Sequence, residues 1–181
     1  VEPNAESVIT WQEVEEKIRY FRFVEYSTRL AAHNVFNKLY DLDTLAEGDF
    51  TWKILKVSLD SDIKPTVAMT KIQHVKMPDF FLRNETFWDL NIIGTDPDVD
   101  FKDFPSFSKR FFLTGPDHEA IREYFTPAIL SRFEQVEKIA GVAQTHCNLF
   151  AYYWVNRTID PEDFPYLAKE AATVLRLCLP G

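Results

Sequence analysis

The chain has 181 residues, a formal charge of −8, 46% apolar and 27% charged residues, and 16 phenylalanines. That length suits one hydrophobic core, and the composition is that of a globular protein with a core of large rings. The acidic balance argues against nucleic-acid binding: the densest basic spot, Lys109-Arg110, is no phosphate-neutralising stripe.

Residues 1–9 are polar and expected to fray. Thr10 and Glu13 form a capping box, and Trp11, Val14, Ile18 and Phe21 follow at helical spacing. This helix reads on toward Leu30 and Ala32, although Tyr20 to Tyr26 also alternates like a strand. Val35 to Tyr40 is a candidate strand, with residues 46–49 as the turn that follows. Phe50 to Leu59 alternates Phe50, Trp52 and Ile54 against Lys53 and Lys56, which predicts a strand with one buried face. Thr66 to Val75 predicts the next, and the short links require antiparallel pairing.

Residues 77–90 read as an edge strand passing into a short helix near Glu85 to Leu90, because Pro78 cannot donate to a ladder. Residues 94–106 are irregular and lead into a strand over Phe107 to Leu113, with Lys109 and Arg110 on its wet face. Gly115-Pro116 breaks that strand. Asp117 and Glu119 then open a helix whose inner face is Ile121, Tyr124 and Phe125. Thr126-Pro127 restarts it, and Ile129, Leu130, Phe133 and Val136 continue the stripe.

Gly141 to Val155 predicts one or two strands. From Leu149 both faces are apolar or aromatic, so the strand is covered on both sides, by helices of the same domain or by a second subunit. The last helix is capped by Asp160, starts at Pro161, and repeats Phe164, Leu167, Ala168, Ala171, Leu175 and Cys178 on one face. The sum is a single α+β domain over residues 1–181, an antiparallel sheet with helices on at least one face.

Residues 98–134 carry D-V-D-F, then P-S-F-S-K-R-F-F-L-T-G-P-D, I-R and F-T. Met77-Pro78-Asp79-Phe80 upstream, and Ala151-Tyr152-Tyr153-Trp154 and Asp160-Pro161-Glu162-Asp163 downstream, extend the pattern over residues 75–181. The region resembles an uncharacterised family of bacterial proteins with no assigned activity. Related domains of unknown function carry a membrane anchor ahead of such a region, and a chain that opens on Val1 is compatible with one. The resemblance implies fold determinants and no catalytic residues.

Chemical motifs are sparse. Asp96, Asp98 and Asp100 have the spacing of a calcium loop, but Phe101 and Phe107 stand where Gly and Glu belong, which rejects an EF-hand. A looser cation site through Asp100 and Asp103 is the alternative to a solvated acidic loop. His33, His74, His118 and His146 form no zinc-spaced pair. His118, beside Asp117, is the leading acid–base candidate. Arg110, Arg83 and Asp79 are the polar groups that could join it in a ligand site around residues 113–119. On strand alternation His146 and Cys147 face opposite sides, which argues against a nucleophile–base pair. Cys147 and Cys178 both read as buried, inert thiols. No phosphate loop or nucleophile elbow is present, so no cofactor is expected.

No apolar run reaches the roughly 18 residues of a membrane span, and no signal peptide is present. A cytoplasmic or membrane-associated soluble domain fits better than a secreted one. The expected role is a non-enzymatic protein-interaction or self-association module, presenting an aromatic patch on Phe150, Tyr152 and Trp154. The alternative is a small-ligand binder or enzyme at the 113–119 turn.

Overall fold

The computed structural model describes residues 8–23, 36–59, 64–85, 98–155 and 157–181. Among the described residues seven strands form one open sheet: β1 (Phe36–Glu47), β2 (Phe50–Leu59), β3 (Thr66–Lys71), β4 (Phe80–Asn84), β5 (Phe111–Thr114), β6 (Val142–His146) and β7 (Leu149–Tyr153). Their order is β1-β2-β3-β7-β6-β4-β5, and every neighbouring pair is antiparallel. The helices are α1 (Trp11–Lys17), α2 (Pro105–Arg110), α3 (His118–Tyr124), α4 (Pro127–Glu134) and α5 (Phe164–Cys178). The fold is α+β, and no helix among the described residues is long and apolar enough to cross a membrane.

Side-chain alternation along the strands feeds two cores, one on each face of the sheet. On one face Trp52, Ile54, Ala68, Leu82, Phe150 and Tyr152 meet the inner sides of α2 to α5. On the other, Leu55, Val57, Val67, Met69, Ala151 and Tyr153 meet Ile9, Val14, Ile18, Phe21 and Phe23. The segment leading from α1 is therefore a second cover. Its capping box forms as the sequence indicates, and Lys71 Nζ holds Glu13 at 2.9 Å. Ile9, placed by sequence in the frayed start, is 1% exposed. The sheet-covering helices lie within the domain, as one of the two sequence readings allowed.

The phenylalanines concentrate where α2, α3 and α4 meet the sheet. The Phe107 ring lies 5.2 Å from Phe111, 5.6 Å from Phe101 and 5.6 Å from Phe133, at tilted or edge-on angles that aromatic pairs favour. Phe107 to Arg110 is helix, which corrects the strand expected there. Pro105 begins α2, where its missing N–H costs nothing. The four-residue step from Phe107 to Phe111 then stacks both rings on one side. Lys109 and Arg110 accordingly occupy the last turn of a helix and not a strand face.

β4 is interior, flanked by β5 and β6, and not the expected edge. Pro78 precedes the strand, and the Thr145 hydroxyl donates to Pro78 O and accepts from Phe80 N at 2.9 Å, so no ladder bond is lost. The edge strand on this side of the sheet, β5, is covered by residues 98–99: Val99 N donates to Leu113 O at 2.7 Å, and Leu113 N donates to Asp98 Oδ1 at 2.8 Å. β1 runs well past Tyr40, to Glu47. β3 stops at Lys71, short of Val75, and His74 adopts φ 63°. One 3-10 turn (Pro161–Asp163) precedes α5, and no side chain caps either start. Both faces of β2 are buried at its centre, Leu55 and Val57 included. The helix expected near Glu85 to Leu90 lies, apart from the non-helical Glu85, outside the described residues. The first helix does not run on as expected: α1 ends at Lys17, one 3-10 turn follows over Ile18–Tyr20, and Phe21 is extended; residues 24–32 lie outside the described residues.

Gly115 ends β5 at a point of close approach. A Cβ there would stand 2.4 Å from Asp79 O and 2.7 Å from Ile121 Cδ1. That lets the chain turn into α3 directly against the segment entering β4.

Candidate functional site

The structure disperses the ligand-site candidates. Asp117 is the N-cap of α3, its Oδ1 accepting from Ala120 N at 3.0 Å, and His118 is the first residue of that helix. Arg110 is structural. Its guanidinium donates to Ser106 O at 3.0 Å, Val136 O at 2.8 Å and Glu134 O at 3.1 Å, closing the end of α4. Arg83 lies over the Phe112 ring, 4.4 Å from its centroid, and donates to Asn84 O. An open groove of about 330 Å³ adjoins this turn, lined by Lys76, Met77, Pro78, Ala120, Glu123 and Tyr124. None of the five candidates is in its wall, and the Tyr124 hydroxyl already donates to Cys178 O at 2.9 Å.

The acidic loop is also partly committed. Asp98 covers the β5 edge, Asp100 and Asp103 are exposed, and Asp96 lies outside the described residues. Among the described residues no group of three or more His, Cys, Asp or Glu could hold a metal ion.

The expected aromatic patch is corrected as well. Phe150 and Tyr152 are 0% exposed because α5 lies across β7, and burial pushes the Tyr152 hydroxyl well above the usual phenol range. Trp154, one step past the strand, stays half-buried. Its Nε1 donates to Glu170 Oε2 at 2.6 Å, and Tyr166 packs edge-on at 6.0 Å. The Arg157 guanidinium lies 6.0 Å from the Trp154 ring. Tyr166 itself is 57% exposed. This corner joins the types that dominate binding hot spots, Trp, Tyr and Arg. The exposed acids Asp160, Glu162 and Asp163 stand in the turn just ahead of it.

A second constellation forms at the β6–β7 turn. His146 and Leu149 pair, and the two residues between them take left-handed backbone, Cys147 at φ 47° and Asn148 at φ 61°. Positive φ at both positions marks the tight hairpin turn that suits the sheet twist. Cys147 is therefore outside the strand, alternation does not apply to it, and its exposed side chain turns back toward His146. Sγ lies 3.3 Å from His146 Nε2, and His146 Nδ1 lies 2.7 Å from Asp79 Oδ2. The other Asp79 oxygen accepts from Cys147 N at 3.1 Å. The expected separation of His146 and Cys147 is thus overturned, and of the ligand-site candidates only Asp79 joins a thiol and an imidazole.

Three elements place these groups. The Thr145 hydroxyl, bonded on both sides of Asp79, holds that residue beside the end of β6. The Gln144 side chain accepts from Arg22 N at 2.8 Å and donates to Arg22 O, to which the Tyr153 hydroxyl also donates. That clamp sets Phe21 edge-on to the His146 ring at 6.1 Å, and Tyr20 stacks on it at 4.7 Å. Cys178 is the opposite case, fully buried at the end of α5, where burial pushes its thiol far up. The signal for the turn, missed in the sequence, was Asn148, a residue type that tolerates left-handed backbone.

Comparison with known proteins found no match to any family model, curated protein or solved structure.

Proposed function

We propose that the chain is a protein-interaction module that docks a basic segment of a partner on the Trp154–Arg157–Tyr166 corner. The observation that carries this reading is the 57% exposure of Tyr166 beside a half-buried, hydrogen-bonded indole. A rigid aromatic corner costs little conformational entropy on binding, and aromatic faces attract lysine and arginine. The acids at Asp160, Glu162 and Asp163 and a net charge of −8 complement such a segment. On this reading residues 75–181 belong to the uncharacterised bacterial family that their motifs resemble.

The test uses short lysine- and arginine-rich peptides, acidic peptides as controls, and the indole N–H resonance of Trp154. Basic peptides should shift that resonance, and Tyr166→Ser should weaken them about tenfold without changing net charge. No shift at millimolar peptide, or equal affinity for the variant, would overturn the reading.

Self-association has one specific observation of its own. Along its twelve residues β1 is paired on one side only among the described residues, with Tyr40 and Leu42 exposed. An unpaired edge is a template for strand addition. A concentration-dependent dimer in sedimentation velocity that survives Tyr166→Ser and is lost in Leu42→Pro would select this reading.

A further inference from the structure

We propose that Cys147 is a reactive thiol that exchanges with small disulfides, with His146 as its proton acceptor and Asp79 as the residue that positions the imidazole. The inference stands apart from the docking corner and rests on different residues.

The argument begins with the proton on the ring. The ionised Asp79 carboxylate only accepts hydrogen bonds, so at 2.7 Å from Nδ1 it requires the proton on that nitrogen. In the neutral ring this leaves the Nε2 lone pair facing outward, and the atom facing it at 3.3 Å is Cys147 Sγ. A thiol in that position can pass its proton to Nε2 as sulfur attacks. Stacking by Tyr20 and the edge contact of Phe21 keep the ring in this orientation. Asp79 fixes the other end as well, because its second oxygen holds the Cys147 N–H. The same bond engages the amide that an oxyanion would need, which favours attack on sulfur over attack on a carbonyl. The left-handed conformation at Cys147 costs about what an L-residue with no special preference for it incurs, and it is what brings Sγ back to the ring.

The step balances without a further reagent. The thiol proton moves to Nε2, Cys147 sulfur bonds to one sulfur of the disulfide, and the disulfide bond breaks. The departing thiolate takes the proton from Nε2 and leaves as a thiol. Cys178, fully buried within the other core, cannot resolve the mixed disulfide. Release therefore requires a second small thiol.

The test measures the rate with 2,2′-dithiodipyridine, an uncharged disulfide that the negative charge of the chain does not repel. Wild type should give one adduct per folded chain, mapped to Cys147 by mass spectrometry and absent in Cys147→Ser. Its rate should exceed those of His146→Gln and Asp79→Asn about tenfold, with near-ultraviolet circular dichroism confirming the fold of each variant. A difference under about threefold overturns the proposal, as does modification of Cys178 before Cys147. A second readout needs no variant: long-range nitrogen–proton spectra of wild type must show His146 protonated at Nδ1. A ring carrying its proton on Nε2 alone also overturns it. Loss of the Nδ1 proton in Asp79→Asn would establish the positioning role separately from any effect on stability.

Discussion

Replacing Arg110 by methionine distinguishes a structural guanidinium from a ligand-binding one. The side chain spans three carbonyls: Ser106 O in its own helix, and Glu134 O and Val136 O at the end of α4. Those last carbonyls have no partner within the helix, and a cation beside them also opposes the helix dipole. A hydrogen bond from a charged donor contributes about 1.5–3 kcal/mol when buried. Arg110 is half-buried, so water replaces part of each bond in the variant. The net loss for Arg110→Met is therefore about 2–4 kcal/mol for the three together. Urea unfolding followed by circular dichroism should show a lower midpoint at an unchanged slope. Arg110→Lys should recover less than half, because one ammonium cannot span a fork of carbonyls. A loss below about 0.5 kcal/mol for Arg110→Met, the usual range of a surface change, would refute this reasoning. It would return Arg110 to the pool of ligand-binding groups.

Gly115→Ala should cost about 1–3 kcal/mol, because the added Cβ meets the Asp79 backbone, which cannot rotate away; thermal melts check this. Phe107→Ala removes the ring shared by α2, α4 and β5 and should cost about 3–5 kcal/mol in the same assay. For Glu13, burial pushes the carboxyl up, but the Thr10 N–H and Lys71 outweigh it and hold the group below its ordinary value. Its stabilisation is then present above the unfolded value and is lost as pH falls through the lower folded one. The gap in urea midpoint between wild type and Glu13→Gln should close on acidification below about pH 4, and a gap that widens would contradict the assignment. Cys147→Asn should raise stability by about 0.5–1 kcal/mol, since asparagine tolerates the left-handed turn better than cysteine. A loss of stability on denaturant titration would show that the thiol contacts outweigh the turn.

Several elements were determined by short-range chemistry and are plain in the sequence. The Thr10–Glu13 box and the Thr126-Pro127 restart form as written, because capping involves residues three apart, while Asp117, read as a first-turn acid, is the N-cap of its helix. The double-sided apolar strand at Leu149 to Tyr153 and the apolar stripe of α5 likewise appear, because burial on a strand or helix face leaves a period of 2 or 3.6. The helix at Pro105 to Arg110 was missed because the rings at Phe107, within it, and Phe111 and Phe112, just after it, satisfy either period. Pro105 was the overlooked start signal. The interior place of β4 was hidden because Thr145, distant in sequence, supplies the hydrogen bonds around Pro78.

The site divides along the same line. The sequence determined that Cys147 and His146 are neighbours, but strand alternation hid the turn at Cys147 and Asn148. Only the tertiary structure decided that the turn carries left-handed backbone and sets the thiol against the ring. It also brought Asp79, 67 positions from His146, within 2.7 Å of the imidazole, through a strand pairing that joins β4 to β6. The aromatic residues show the converse. Alternation placed Phe150, Tyr152 and Trp154 on one face of an expected strand, but the strand ends at Tyr153, and the packing of α5 across β7 buried the first two and left Trp154 half-buried at a corner. Which face of a strand is apolar is a property of its own residues; what covers that face depends on where a distant segment packs.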